Sequence, residues 1–322
     1  MEVQKYLFEV LKARIPDQHR MVDIVEELLG ISTDAAYKRI RGQKELSFTE
    51  LRTLSQKFNL PLEEIFSYKS EQTAIFSYVP VNFADQEAYI QYLNNLNDGM
   101  AVLKASSDKE IYFAAQDIPI FHFSKYPDLT LFKLYAWNDA IIHKQISFID
   151  FCNKLDKDRI MPIFQQIHNS YLVIPSKEIW TEQTIGAILR LLEHYYAMGA
   201  FKDKKALFFL IEQLQNLIED VKNYTNDGCK PKDTPFTMYA SPVDLENNFM
   251  LTRRGSELMC RIKLYTINSI TTINQAMCAE TKKWIDDLIS KSTQISEISA
   301  KQRVKFFKEL YNKIDVLIDK IK

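Results

Sequence analysis

Residues 30–51, GISTDAAYKRIRGQKELSFTEL, set four basic side chains (Lys38, Arg39, Arg41 and Lys44) within seven positions. Ser32 is suited to cap a helix, because its short side-chain oxygen can accept from the free N–H groups of the first turn. A helix is expected from there to about Arg41, where Gly42 can take the left-handed conformation that ends helices. At about 100° per residue, Asp34, Tyr37, Lys38 and Arg41 fall within one arc, and Ala36 and Ile40 fall on the other side, small and apolar enough to pack on a preceding helix. Arg39 lies to one side of the arc and Lys44 just past the helix end, both placed to reach phosphates. Thr33, Asp34, Tyr37 and Lys38 are of types that hydrogen-bond base edges.

The surrounding sequence supplies helices for this stretch to pack against. Val3, Tyr6, Leu7, Val10 and Leu11 recur at helical spacing over residues 2–14. Pro16 and Asp17 break the pattern, and Ile24, Val25, Leu28 and Leu29 renew it over residues 21–29 before the turn at Gly30. Ser47 with Glu50 three residues later forms a capping-box pattern that opens a helix to about Phe58. Asn59-Leu60-Pro61 ends that helix, and residues 62–66 add a last turn. The spacing therefore predicts a compact all-α N-terminal domain of five short helices over residues 1–67.

Leu29-Gly30-Ile31-Ser32, Arg41-Gly42, Leu46-Ser47, Leu51, Leu54, Phe58, Leu62 and Ile65 share a register of turn, caps and core positions. In that register the stretch resembles the second to fifth helices of the lambda-repressor/Cro-like helix-turn-helix regulators. The family commonly has a Gln near the start of its second helix and a small residue one turn later; here those positions hold Val22 and Glu26. Further along, EIYFAAQDIPIFHF (110–123), IPSKEIW (174–180) and WIDDLISKSTQIS with RVKFFKEL (within 284–310) resemble stretches of a Bacteroidetes group of helix-turn-helix proteins with an uncharacterised C-terminal region. The resemblance implies a sequence-specific DNA-binding transcriptional regulator. Its DNA-binding residues would be Thr33, Asp34, Tyr37, Lys38, Arg39, Arg41 and Lys44.

Composition narrows the alternatives. The 322 residues carry a formal net charge of −1, so no global field draws the chain to nucleic acid, and any such function must come from local clustering. The four cysteines lie far apart with no C-x-x-C pair, which suits reduced thiols and argues against a disulfide framework or a zinc knuckle. With seven scattered glycines there is neither a P-loop nor a dinucleotide fingerprint. The five histidines show no metal-ligand spacing. No metal, no cofactor and no catalytic set is expected, and the chain reads as a non-enzyme. The N-terminus lacks the apolar core of a signal peptide, and no apolar run is long enough to span a membrane, so a cytoplasmic protein with no membrane partner is expected.

Residues 68–82 lack a helical period and read as a linker. Residues 83–322 read as an α+β domain, mostly helical with a small antiparallel sheet. Helices are expected over 85–104, over much of 129–221 (182–198 and 204–221 among them), and over 273–290 and 299–321. Short strands are expected at 110–115 and 119–123, a loop at 224–236, and an antiparallel meander from 236–240, 249–253 and 258–266. His122 reads as a strand-face residue, Asp117 as a turn former, and Glu178, Glu182 and Glu193 as solvated or capping carboxylates on helices.

The dense aromatics, including Phe113, Phe121, Phe123 and Trp137, suit either a plain core or the lining of an effector pocket between sheet and helices. The seam Val304, Phe307, Leu310, Ile314, Leu317, Ile321 either docks on the core or pairs across a two-fold axis. The expected partners are double-stranded DNA, a second copy of the chain in a homodimer carried by the C-terminal domain, and a small-molecule or protein effector. A protein-interaction adaptor that uses the helical domain, and a DNA-regulated enzyme with its site in residues 83–322, are the alternatives.

Overall fold

The structure, a computed structural model, describes residues 2–15, 20–58, 60, 62–66, 73–81, 85–142 and 146–322. The expected breaks at Pro16-Asp17 and at Asn59 and Pro61, and residues 68–72 and 82 of the expected linker, lie outside these residues, as do His19 and His143. The chain is a helix-rich α+β protein that divides into two compact units. Unit 1 is residues 1–77 with Thr272–Ala279, and unit 2 is Tyr78–Thr271 with Glu280–Lys322.

Unit 1 contains α1 (Glu2–Arg14), α2 (Met21–Leu29), α3 (Thr33–Ile40), α4 (Phe48–Lys57) and α5 (Leu62–Phe66). Local chemistry sets their ends. Gly30 closes α2 in the left-handed region at φ +62°, and the Ser32 hydroxyl accepts from the Ala35 N–H at the start of α3. At α4 both halves of the capping box are present: the Ser47 side chain accepts from the Glu50 N–H, and the Glu50 carboxylate accepts from the Ser47 N–H. Leu7, Leu11, Val25, Ala36, Leu54 and Ile65 form the core, with Ile40 and Ile273 against it. Thr272 and Asn274 tie the later segment to this unit by bonds to the carbonyls of Ile75 and Thr73. A segment more than 190 residues downstream thus belongs to unit 1, beyond the expected boundary at residue 67.

The remaining elements, in chain order, begin with β1 (Ser77–Tyr78), α6 (Gln86–Ala105), β2 (Lys109–Ala115), α7 (Ile120–Phe123), α8 (Pro127–Ile142) and α9 (Phe148–Lys154). Next come α10 (Lys157–Tyr171), β3 (Ser176–Trp180), α11 (Gly186–Ala197), α12 (Lys204–Asp227), β4 (Cys229–Lys230), β5 (Thr234–Ala240) and β6 (Phe249–Arg254). The chain ends with β7 (Glu257–Lys263), β8 (Ser269–Thr272), α13 (Gln275–Ser290), β9 (Thr293–Gln294) and α14 (Ala300–Ile321).

Among the described residues the strands form one nine-stranded sheet in the order β1-β8-β7-β6-β2-β3-β5-β4, with β9 also on β5. The sheet is mixed: β2, β3 and β5 run parallel, while β6 runs antiparallel to β2 and to β7. This corrects the small antiparallel sheet. Long helical connections, α7–α10 and then α11–α12, return the chain to the same end of the sheet, which is what parallel pairing requires. β5 is consequently separated from β6 by β3 and β2, so the expected meander holds only for its later part.

Three local expectations also change. Residues 119–123 form the short helix α7, started by Pro119 at φ −55°, and are no strand. The expected loop at 224–236 is mostly ordered, because α12 continues to Asp227, Gly228 caps it in the left-handed region, and β4 and β5 follow. The seam on α14 docks on the chain's own core: Phe307, Leu310, Ile314, Leu317 and Ile321 are buried, and only Val304 stays 68% exposed. That apolar face is used within the fold and is not free for a two-fold contact.

Candidate nucleic-acid interface

Helix α3 presents a polar side to solvent. Thr33, Asp34, Tyr37, Lys38 and Arg41 are exposed, while Ala36 is fully buried and Ile40 packs on the unit 1 core. The positions i, i+1, i+4, i+5 and i+8 share one face of a helix, and the chemistry along it is graded. The Thr33 hydroxyl donates to Glu26 at 2.7 Å, which orients the start of the helix. Lys38 and Asp34 pair at 2.7 Å in full solvent, a contact weak enough to exchange for another partner. Arg41 sits 5.2 Å from the Tyr37 ring centroid, so the two form one cationic, aromatic corner.

Arg39 is turned the other way, which corrects its expected place beside the exposed face. It is only 6% exposed. Its guanidinium pairs with Glu50 at 2.6 Å and donates to the Ala35 carbonyl at 3.1 Å. The hydrogen bond from Arg39, assisted by those from Ser47 and opposed by burial, holds the Glu50 carboxyl below its ordinary value. Glu50 therefore caps α4 and clasps α3 with one carboxylate.

Gln4 completes the arrangement. From α1 its amide donates to the carbonyls of Arg39 at 2.7 Å and Lys44 at 2.8 Å, and accepts from the Leu46 N–H at 3.0 Å. The turn that carries Lys44 is thus held by its backbone, leaving that side chain in solvent. Sequence reasoning missed Gln4, because a single polar residue on an amphipathic helix carries no signal until its distant partners are known. Of the seven expected contact residues, six share exposure on α3 and the following turn, and Arg39 does not.

Unit 2 buries several of its charged side chains. Glu178 on β3 is fully buried and accepts from His122 at 3.0 Å, the Tyr171 hydroxyl at 2.5 Å and the Trp180 indole at 2.8 Å. This corrects both the solvated helical reading of Glu178 and the strand-face reading of His122. Burial pushes the Glu178 carboxyl up, but His122 and the other donors outweigh it, and the net is a lowered value. Next to it Lys230 donates to the Tyr171 and Ile174 carbonyls and to Ser176, and burial pushes its ammonium down to about 7. These groups are buried and partner one another. Arg253 and Arg254 pair with Asp108 and Glu257 at the sheet end.

Among the described residues no group of three or more His, Cys, Asp and Glu could hold a metal ion, and no helix is long and apolar enough to cross a membrane. No protein-family model, curated protein or solved structure matches the chain.

Proposed function

We propose that unit 1 is a five-helix helix-turn-helix domain that binds double-stranded DNA by sequence, and that the protein is a transcriptional regulator. The observation that supports this reading is the exposed face of α3, with Thr33, Asp34, Tyr37 and Lys38 at its N-terminal part and Arg41 and Lys44 at its end. A recognition helix enters the major groove with its N-terminal residues toward the bases, and cations at its far end meet phosphates. Arg39 acts through Glu50, fixing the angle of α3 against α4. A single domain of this size makes few contacts, so useful specificity requires two half-sites and a homodimer carried by unit 2. With the α14 seam buried, that contact belongs to another surface of unit 2.

The test is selection of bound sequences from a random duplex pool, followed by titration of the winner at several salt concentrations. A pseudo-palindrome with half-sites about one helical turn apart is expected. Affinity should fall steeply with salt, by about one power of salt concentration for each phosphate that a cation neutralises. Failure to enrich any sequence, or an affinity indifferent to salt, overturns the reading and favours a protein-binding adaptor.

A further inference from the structure

Unit 2 holds a partly open cavity of about 110 Å³, counted over the positions that a water centre can take. By that measure it has room for roughly seven to eleven waters, or a ligand of about a dozen heavy atoms. It lies between the sheet face formed by β2, β6, β7 and β8 and the helices α6, α7 and α8. Much of its wall is apolar and aromatic, with Phe113, Phe121, Phe123, Trp137 and Met250.

The polar part of the wall is charged and unbalanced, and its Lys133 lies 5.0 Å from the Phe123 ring centroid and 5.5 Å from that of Trp137. Asp117, 4% exposed, takes Lys133 at 2.8 Å and Lys263 at 3.1 Å, both on its Oδ2 oxygen. Its Oδ1 oxygen is buried without a hydrogen-bond partner. Such an oxygen is costly to leave unsatisfied, and Asp117 is among the residues that line the cavity. Arg261 also lines the wall; its Nε donates to the Thr271 hydroxyl at 3.4 Å, and among the described residues no carboxylate pairs with it. Burial pushes its guanidinium below its ordinary value. Lys133 and Lys263 share one carboxylate and Arg261 has none, so the lining carries more cations than carboxylates, a setting that suits an anion.

We propose that this cavity binds a small amphipathic hydroxy acid: an aryl or alkyl body against the aromatic wall, a carboxylate toward Arg261 and the two lysines, and a hydroxyl donating to Asp117 Oδ1. A hydroxyl suits that oxygen better than an ammonium, which would be brought beside Lys133 and Lys263. The ligand would be the effector that unit 2 senses. That regulatory role rests on the DNA-binding reading, whereas the binding itself does not.

The probe is 3-phenyllactate, titrated calorimetrically into the full chain. Saturable binding is expected, weakened about fivefold or more for 3-phenylpropionate, which lacks the hydroxyl donor. Loss of the carboxylate in 3-phenyl-1,2-propanediol should weaken it about twentyfold or more. Arg261→Gln, at a half-buried site, should weaken phenyllactate about tenfold while the diol is unchanged. The ligand series on the unaltered protein keeps the test decisive should the variant fail to fold. No saturable binding at millimolar phenyllactate, equal binding of acid and diol, or tighter binding of phenylalanine each overturns the proposal. Repeating the DNA titration with and without phenyllactate separates the two readings: DNA binding without ligand binding overturns only the cavity, and the converse only the DNA interface.

Discussion

On α3 of unit 1, Thr33, Asp34, Tyr37, Lys38 and Arg41 stand in solvent, and only Arg39 turns inward, to Glu50. In unit 2 the notable charges are interior: Glu178, Lys230, Asp117 and Lys133 are each at most 4% exposed. The contrast follows from size. A small helical unit has too little depth to satisfy more than one ion pair away from water, so its remaining charges stay available for partners. A layer of helices on a nine-stranded sheet is deep enough to give a carboxylate three donors, as at Glu178. In such a network charge specifies packing, and the satisfaction is incomplete at Asp117 Oδ1, which is buried without a partner.

The comparison breaks most easily at Glu178. Glu178→Ala strands His122, Tyr171 and Trp180 together and leaves Lys230 without its neighbouring negative charge. Unit 2 should lose about 4 kcal/mol or more, enough to unfold it or leave it molten. Urea denaturation followed by tryptophan fluorescence reads this, and a loss under about 1 kcal/mol means that the interior network contributes little.

Arg39→Met tests the charge that turns inward from α3, with an expected loss of about 2–4 kcal/mol in unit 1. It should also change the acid limb. Glu50 titrates below the ordinary glutamate value of 4.5 in the fold, so its contribution is present above that value and disappears as pH falls through the folded value. The variant should lose less stability on acidification than the parent. An unchanged acid limb assigns the lowered value to the Ser47 cap alone.

Outward charges should behave oppositely. Lys38→Ala and Arg41→Ala should leave melting within about 0.5 kcal/mol of the parent. Their effect should appear on DNA. Lys38→Ala is expected to cost about 1–3 kcal/mol and relax the preference at one base pair. Arg41→Ala should weaken all sequences alike and flatten the salt slope by about one unit. Unchanged DNA binding in both variants removes α3 from the interface.

What the sequence determined by itself is local. Ser32, Gly30 and the Ser47/Glu50 pair set helix ends through bonds that span three or four residues, and the recurrence of Phe307, Leu310, Ile314 and Leu317 marked a buried face before its partner was known. Each of these is written within a single turn or a single period. Tertiary structure decided the rest. SKEIW, with Ser, Lys and Glu in five positions, carries no strand signal, yet β3 lies inside the sheet between β2 and β5, where the fold brings His122 and Tyr171 to Glu178 beside the strand's own Trp180. The inward turn of Arg39 and the clasp of Gln4 depend on partners up to 42 residues away. Asp117 meets Lys133 and Lys263 only once α8 and β7 have packed around it. A charged side chain takes its role from whatever neutralises or desolvates it, and those groups are chosen by the fold rather than by adjacency in the chain.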